Sequence, residues 1–185
     1  VQTCALPIWF ALLLSACGAS APGNAWQTHA PVRLFVDELV PVNHAAVAES
    51  LSAGLGQFGF ATTTMGWGQQ LAVSYDAACR CRTCTTGQTQ HLDTTAAYVS
   101  QADYRTIYVC PAMANVVRDF GERPAIDMVI KHELGHSLGL VEHAEPAPGV
   151  LMSARVESRP TVRTFGPTDI ARICAAGGVH GSVCN

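Results

Sequence analysis

Short stretches of apolar or alternating residues recur along the chain, and such stretches are typical of β-strands. Partial alternation over residues 32–40 predicts a first strand, and the run over residues 71–75 predicts a second. Residues 96–100 and 106–110 predict two further short strands. We therefore expect a small β-sheet, built mainly from the first two thirds of the sequence.

Apolar residues spaced as on one face of a helix predict two main helices. The first covers residues 44–55 and follows Asn43, whose short polar side chain is favourable at a helix N-cap. The second covers residues 125–138, and its apolar stripe repeats at every fourth residue: Ile126, Ile130, Leu134 and Leu138. Residues 111–120 predict a turn or short helix, and residues 168–175 predict a last helix. Early strands with interspersed helices indicate an α+β fold.

The composition supports one folded domain. The chain has 185 residues, of which 49% are hydrophobic and only 14% are charged, whereas about 25% are charged in a typical protein. A net charge of −3 argues against a nucleic-acid-binding protein, which would carry a basic face. The longest apolar run, residues 9–14, is far shorter than the ~20 residues that a membrane-spanning helix needs. We therefore expect an ordered domain that neither binds nucleic acid nor spans a membrane.

The N-terminal residues do not resemble part of that domain. Residues 1–8, VQTCALPI, lack an initiator Met and resemble the translation of a common sequencing adapter, so we interpret them as an assembly artefact. Residues 9–17 resemble the end of a bacterial lipoprotein signal peptide, in which an apolar run leads to small residues and a cysteine. By this resemblance Cys17 is the lipid-carrying first residue of the mature protein. An ordinary cleaved signal peptide with an incidental cysteine is the alternative.

The lipoprotein interpretation also predicts the boundaries of the remaining segments and the cellular location of the protein. Residues 18–30 are rich in Ala, Gly, Ser and Pro and predict a flexible tether. Residues 31–185 would form the folded domain. The protein would lie in a bacterial cell envelope, on the outer membrane or the cell surface, with the domain on the periplasmic or extracellular face. Membrane attachment would be through lipid on Cys17 only.

The cysteines also indicate an oxidising compartment, because a short exported chain usually places its cysteines in disulfides. Cys4 falls in the artefact and Cys17 would carry lipid. Six cysteines then remain: Cys79, Cys81, Cys84, Cys110, Cys174 and Cys184. Many pairings are open, among them a short loop closed by the last two cysteines and a bond from the first group to Cys110. We expect a disulfide-stabilised domain, with a metal site at residues 79–84 as the alternative.

The most informative segment is His132-Glu133-Leu134-Gly135-His136, which has the H-E-x-x-H pattern. Residues four apart lie one above the other on a helix, so the two imidazoles can bind one ion. Zinc accepts neutral histidine nitrogen and leaves a position open for water. In this pattern the glutamate is a general base that activates the water and is not a metal ligand. The apolar stripe lies roughly opposite, so the helix would have a core face and a metal-binding face.

The residues that follow make this pattern more specific. Gly139 lies seven residues after His132, and Met152 lies in a Pro- and Gly-containing turn at residues 148–153. Residues 131–153 resemble the metzincin zinc metallopeptidases, whose motif is H-E-x-x-H-x-x-G-x-x-H followed by a methionine turn. The resemblance implies a single zincin domain with a small twisted mixed sheet, a backing helix and an active-site helix. It also implies that Gly139 turns the chain at the helix end and that Met152 forms an apolar floor beneath the metal.

One position departs from the pattern of that family. The third ligand should lie ten residues after the first histidine, where this chain has Glu142, and His143 comes next. Imidazole is the usual third ligand in the family, so the resemblance favours His132, His136 and His143 as zinc ligands. A carboxylate is also acceptable chemistry for zinc, which keeps Glu142 as the alternative. A degraded, inactive site is a third interpretation.

Together these expectations describe a zinc-dependent endopeptidase that acts as a monomer on protein or peptide substrates, with Glu133 as general base. The substrate would lie extended along a sheet edge, for which residues 96–100 are the candidate. The alternative is a non-catalytic, lipid-anchored module that binds zinc or peptides on the same fold. A zinc hydrolase of another zincin branch, with a glutamate ligand on a later helix, is disfavoured by Gly139 and Met152.

Overall fold

The computed structural model describes residues 26–79, 95–100, 102–145, 147, 149–153 and 164–184. Within these ranges the chain forms seven strands and four helices. The strands are β1 (Trp26–Gln27), β2 (Val32–Val36), β3 (Thr62–Thr63), β4 (Gln69–Tyr75), β5 (Ala97–Ser100), β6 (Asp103–Val109) and β7 (Val179–His180). The helices are α1 (His44–Gly56), α2 (Met113–Phe120), α3 (Glu122–Ser137) and α4 (Pro167–Ala175). The α+β class predicted from the sequence is confirmed.

Five of the strands form one mixed sheet in the order β3-β2-β4-β6-β5. The first four run parallel, and β5 pairs antiparallel with β6 at one edge. The registers pair Leu34 with Leu71 and Val73 with Ile107, so the buried side chains of neighbouring strands share one face. The small mixed sheet expected from the sequence is therefore present. The pattern did not predict β3, because two residues are too few to show a periodicity.

Helices α1 and α3 cover one face of this sheet. α3 packs on β5 and β6, α1 packs on β2, and the two helices pack on each other. The apolar stripe predicted for the second helix is fully buried: Ile126, Ile130, Leu134 and Leu138. The two helices approach closely at Gly54, where an added β-carbon would lie 2.7 Å from Cδ2 of Leu134. Packing of one face of α3 in the core therefore fixes the position of the side chains on its remaining surface.

The predicted helices are present, with small shifts at their ends. Asn43 caps α1, and its side-chain oxygen accepts a hydrogen bond from the Ala46 amide at 3.0 Å. α3 begins at Glu122, earlier than the apolar pattern indicated, and an ion pair of 3.1 Å between Arg123 and Asp127 supports its first turns. A periodicity of apolar residues cannot detect this polar first turn.

The described part of the chain begins inside the segment for which the sequence predicted a tether. Trp26 is 2% exposed and pairs with Val179, so that β1 and β7 form a second, two-stranded sheet. Its indole Nε1 donates to the Ser137 carbonyl at 2.9 Å, and the Arg105 guanidinium carbon lies 4.3 Å from its ring centre. The partners of Trp26 are distant in sequence, which is why local composition suggested a tether there.

Two disulfide bonds, Cys79–Cys110 and Cys174–Cys184, join described cysteines. The first links the residues that follow β4 and β6, and the second links α4 to the segment after β7. Disulfides of this kind indicate an oxidising, extracytoplasmic compartment. None of the helices in the described ranges is long and apolar enough to cross a membrane.

Several of the sequence-based predictions concern residues outside the described ranges. These are the artefact at residues 1–8, the signal peptide at residues 9–17 with its lipidated Cys17, and residues 18–25 of the tether. The pairing of Cys81 and Cys84 falls outside them as well. All of these stay predictions.

We predict that the two disulfides contribute unequally to stability. Cys79–Cys110 spans 31 residues and Cys174–Cys184 spans 10. In the chain-entropy model the longer loop contributes about 4 kcal/mol and the shorter about 3 kcal/mol. Paired Cys→Ala variants, unfolded in denaturant and followed by circular dichroism, should show the larger loss for Cys79 and Cys110. A larger loss for the Cys174 and Cys184 pair would contradict this ranking.

Candidate metal centre

Three histidine side chains converge beside the C-terminal half of α3. His132 and His136 lie one turn apart on the helix, and His143 approaches them from the segment that follows it. The His143 Nε2 atom lies 3.1 Å from the His132 Nε2 atom and 3.2 Å from the His136 Nε2 atom. All three ligating nitrogens fall within 4.8 Å of one another. This group can hold a metal ion.

The other ring nitrogen of each helical histidine contacts a backbone carbonyl. His132 Nδ1 donates to the Leu151 carbonyl at 2.9 Å, and His136 Nδ1 donates to the Leu140 carbonyl. A carbonyl only accepts hydrogen bonds, so each Nδ1 carries the proton and each Nε2 presents a bare lone pair. Both of these nitrogens lie within 3.2 Å of His143 Nε2. A proton on His143 could satisfy one of them, whereas a cation between the rings would satisfy all three nitrogens.

The spacing of the nitrogens fits the ion that the sequence suggests. Tetrahedral ligands at ~2.0–2.1 Å from zinc lie about 3.3–3.4 Å apart, close to the Nε2 separations of 3.1 and 3.2 Å. Imidazole also suits copper, iron and nickel, so the donor set favours a transition metal without singling out zinc. Three protein ligands leave a fourth position open.

The electrostatic surroundings keep the histidines neutral, which metal binding requires. Burial lowers the pKa of His132 to about 4. Burial also lowers the pKa of His136 well below its usual value, and the neighbouring His132 lowers it further. The pKa of His143 is lowered by burial and then by the positive charge of Arg172. Near pH 7 all three rings are therefore neutral.

Glu133 lies next to this group but is not one of the three converging ligands. Its side chain belongs to α3 and is 8% exposed. Burial raises the pKa of Glu133 to about 8, against an opposing hydrogen bond from the backbone of Val99 in β5. The carboxyl group therefore contacts the edge strand, and it can take up or release a proton near neutral pH.

A sharp turn ends α3 and leads the chain to His143. Gly139 has a φ of 104°, a conformation that only glycine adopts without strain. The Gly139 amide donates to the His136 carbonyl at 2.9 Å, and the Leu140 amide donates to the Gly135 carbonyl at 3.1 Å. This geometry agrees with the sharp turn expected at Gly139.

His143, and not Glu142, lies with the two helical histidines. Glu142 is exposed, whereas the His143 ring stacks beside His132 with ring centres 5.1 Å apart. Arg172 of α4 donates to the Glu142 and His143 carbonyls at 3.1 and 3.3 Å. The Ala144 amide then donates to the Met152 carbonyl at 2.7 Å. The extra residue is therefore held in the loop, and His143 occupies the place of a third ligand.

Met152 is fully buried and packs directly against the histidine helix. An added β-carbon at Gly135 would lie 2.3 Å from the Met152 sulfur and 3.2 Å from the Phe165 ring. Glycine between the two helical histidines therefore lets the methionine come close beneath them. This contact explains why position 135 has no side chain, whereas the apolar floor beneath a metal that the sequence suggested for Met152 stays a prediction.

Asp169 is a part of this site that the sequence analysis missed. Its carboxylate is 0% exposed and accepts hydrogen bonds from the amides of Leu151, Met152 and Gly166 at 2.9, 3.1 and 3.0 Å. It thus fixes the turn whose Leu151 carbonyl orients the His132 ring. In the sequence Asp169 stands out only as an acidic residue in the first turn of a helix, and the role of Arg172 left no signal at all.

We predict that measurements of zinc affinity distinguish whether His143 or Glu142 is the third ligand. His143→Ala should weaken zinc binding by more than the roughly 10–100-fold that is lost when a group orienting a ligand is removed. Glu142→Ala should leave zinc affinity unchanged, because its side chain is exposed. Competition with a chromophoric chelator measures both affinities. A larger loss for Glu142→Ala would assign the third ligand to the carboxylate.

We also predict that Asp169→Asn weakens zinc binding although Asp169 is not a ligand. An amide cannot accept hydrogen bonds from three backbone amides as a carboxylate does, so the turn that orients His132 loosens. The expected loss is on the order of 10–100-fold in affinity. Asp119→Asn is the matched control, because Asp119 is exposed and its ion pair with Arg118 lies on the surface. Equal affinities for the two variants, both folded by circular dichroism, would refute the role of Asp169.

The chain matches no protein-family model, and no curated protein is significantly similar to it. The geometry of the three imidazoles and of Glu133 therefore carries the functional assignment.

Proposed function

We propose that this protein is a zinc-dependent endopeptidase of the metzincin type. The observation that carries the proposal is the convergence of three neutral imidazoles at the helix that also carries the buried carboxyl group of Glu133, which is hydrogen-bonded to the backbone of the edge strand β5. The proposal is supported by the turn at Gly139 and by Met152 beneath the helix. The histidine pattern, Gly139 and Met152 were each expected from a different part of the sequence. Their common occurrence in one place favours a functional metal site over a chance grouping of histidines.

The ligands of the zinc would be His132, His136 and His143. A site of three neutral histidines with one open position is a common composition for catalytic zinc. When bound, the ion would act as a Lewis acid that lowers the pKa of water to ~7 and polarises a substrate carbonyl. The hydrogen bonds from Nδ1 to the Leu151 and Leu140 carbonyls would hold the two helical rings in the ligating orientation.

Glu133 would serve as general base and then as general acid. Its carboxylate would accept a proton from the attacking water and later donate that proton to the departing amine nitrogen. A pKa of about 8 for Glu133 lies close to neutral pH, where a group can both take up and release a proton. The hydrogen bond from the Val99 backbone would keep the carboxyl group facing the site.

The substrate peptide would bind along β5. β5 pairs with β6 at the edge of the described sheet, and an extended peptide would add as a strand on the side of β5 away from β6. Val99 of β5 also contacts Glu133 through its backbone. A peptide aligned on this edge would therefore pass next to the proton-transfer group. Backbone pairing of this kind binds extended protein segments with little dependence on their side chains.

The enzyme would act as a monomer on protein or peptide substrates at the bacterial cell envelope. The proposed anchor is lipid on Cys17, which the signal-peptide resemblance of residues 9–17 supports. The two disulfides agree with such a compartment. A non-catalytic module would have no need of a buried Glu133 whose carboxyl group titrates near neutral pH.

The deciding experiment compares residues 18–185 and the Glu133→Gln variant, both purified from an oxidising compartment. We expect one zinc per chain in both proteins, casein cleavage by the first that a chelator abolishes, and a kcat lower by roughly 10²–10⁴-fold in the variant. Glu145→Gln is the control, because Glu145 is an exposed carboxylate outside the cluster.

Each other outcome points elsewhere. Zinc without cleavage of casein or of a broad peptide library would favour the binding module. Absence of zinc from the purified protein would mean that the extra residue before His143 has broken the site.

A further inference from the structure

The loop between β3 and β4 presents two large apolar side chains to solvent. Met65 is 80% exposed and Trp67 is 97% exposed, the highest value among the large apolar residues that the structure describes. The other tryptophan of the described ranges, Trp26, is 2% exposed. An indole without packing neighbours contributes nothing to the core, and exposed apolar groups of this size mark surfaces that contact a partner or a membrane.

The residues at the end of this loop contact the segment that contains β1 and the start of β2. Gln69 accepts a hydrogen bond from the Gln27 amide at 2.9 Å and donates to the Gln27 carbonyl at 2.7 Å. Gly68 lies so close to Pro31 that an added β-carbon would be 2.3 Å from the Pro31 carbonyl oxygen. Trp67 therefore lies beside the strand that follows the predicted tether, and its position relative to that strand is defined.

The length of the tether brings this loop close to the predicted lipid. Cys17 precedes Trp26 by nine residues, and nine fully extended residues span at most roughly 30 Å. A lipid on Cys17 would thus keep β1, and the loop beside it, within that distance of the bilayer. The inference rests on the lipid anchor proposed above and does not depend on peptidase activity.

The charge around the loop is compatible with a phospholipid surface. Residues 51–75 contain no charged side chain, and residues 26–36 contain Arg33 but no acidic residue. Arg33 is exposed and lines a surface pocket together with Phe35 and Thr64, the first residue of the loop. Contact of these two segments with anionic headgroups would therefore desolvate no carboxylate of their own, and it would bring one cation towards them.

We propose that Met65 and Trp67 insert into the interfacial region of the bilayer that carries the lipid anchor. Tryptophan prefers this region, because its ring is apolar while its N–H can bond to water or headgroups. The anchor alone would leave the domain free to tumble, whereas a second contact gives it one face towards the membrane. The occupant of this surface is thus a phospholipid bilayer.

The test uses the mature chain, residues 17–185, coupled through the Cys17 thiol to a maleimide phospholipid in vesicles of phosphatidylglycerol and brominated phosphatidylcholine. The coupling supplies the anchor whether or not cells attach lipid there, and mass spectrometry of the native protein answers that question separately. Bromine quenches only indoles that reach the bilayer. The mature chain has two tryptophans, Trp26 and Trp67.

We expect membrane-dependent quenching and a blue shift of the tryptophan emission, and we expect Trp67→Gln to lose both. Leu39→Gln is the control, because Leu39 is 70% exposed in a different loop and should leave the quenching unchanged. Emission that is the same on vesicles and in solution would overturn the proposal. So would a blue shift without quenching that grows with protein concentration, since it would indicate contact between two copies of the chain.

Discussion

The convergence of three imidazole rings is the constraint on which the candidate site depends. The His143 Nε2 atom lies 3.1 Å from that of His132 and 3.2 Å from that of His136, and one N–H group on His143 can donate to only one of these two nitrogens. The surrounding protein must hold them there. Met152 closes the space beneath them, the Leu151 and Leu140 carbonyls orient two of the rings, and Arg172 holds the loop of the third. Such preorganisation would strengthen the binding of a metal ion, because little order would have to be imposed on the ligands when the ion arrives.

Helix α3 links this arrangement to the core. One face carries the buried stripe that packs on the sheet and on α1, and the other carries His132, Glu133 and His136. A change in the packing of the core would therefore shift α3 and with it the histidine side chains on the same helix. Conversely, an ion that binds only the folded chain adds to its stability by mass action. The core and the candidate site share helix α3, so a substitution that moves this helix affects both.

Local patterns predicted the parts of the molecule that depend on neighbouring residues. The cap at Asn43, the stripe of α3 and the pair His132 and His136 all follow from spacing on one helix. Contacts between distant segments were beyond the sequence. The hydrogen bond from Trp26 joins residues 111 positions apart, and two-residue strands such as β1 carry no periodicity. Asp169 was missed for the same reason, since it lies in α4 and its partners Leu151 and Met152 lie in a turn 17–18 residues earlier in the sequence. Spacing also left the choice between Glu142 and His143 open, because a loop can absorb one residue.

The position of α4 late in the chain has a consequence for how the site is made. All three histidines precede α4 in sequence, yet Asp169 and Arg172, which hold the surrounding loops, belong to that helix. The segment after it returns to β1 through β7 and is tied back by Cys174–Cys184. A chain still emerging during biosynthesis therefore has its ligands before it has the scaffold that orients them. If the three histidines bind a metal ion, their full binding geometry would therefore exist only in the finished, oxidised polypeptide, and the ion would have to be supplied in the compartment where the last disulfide forms.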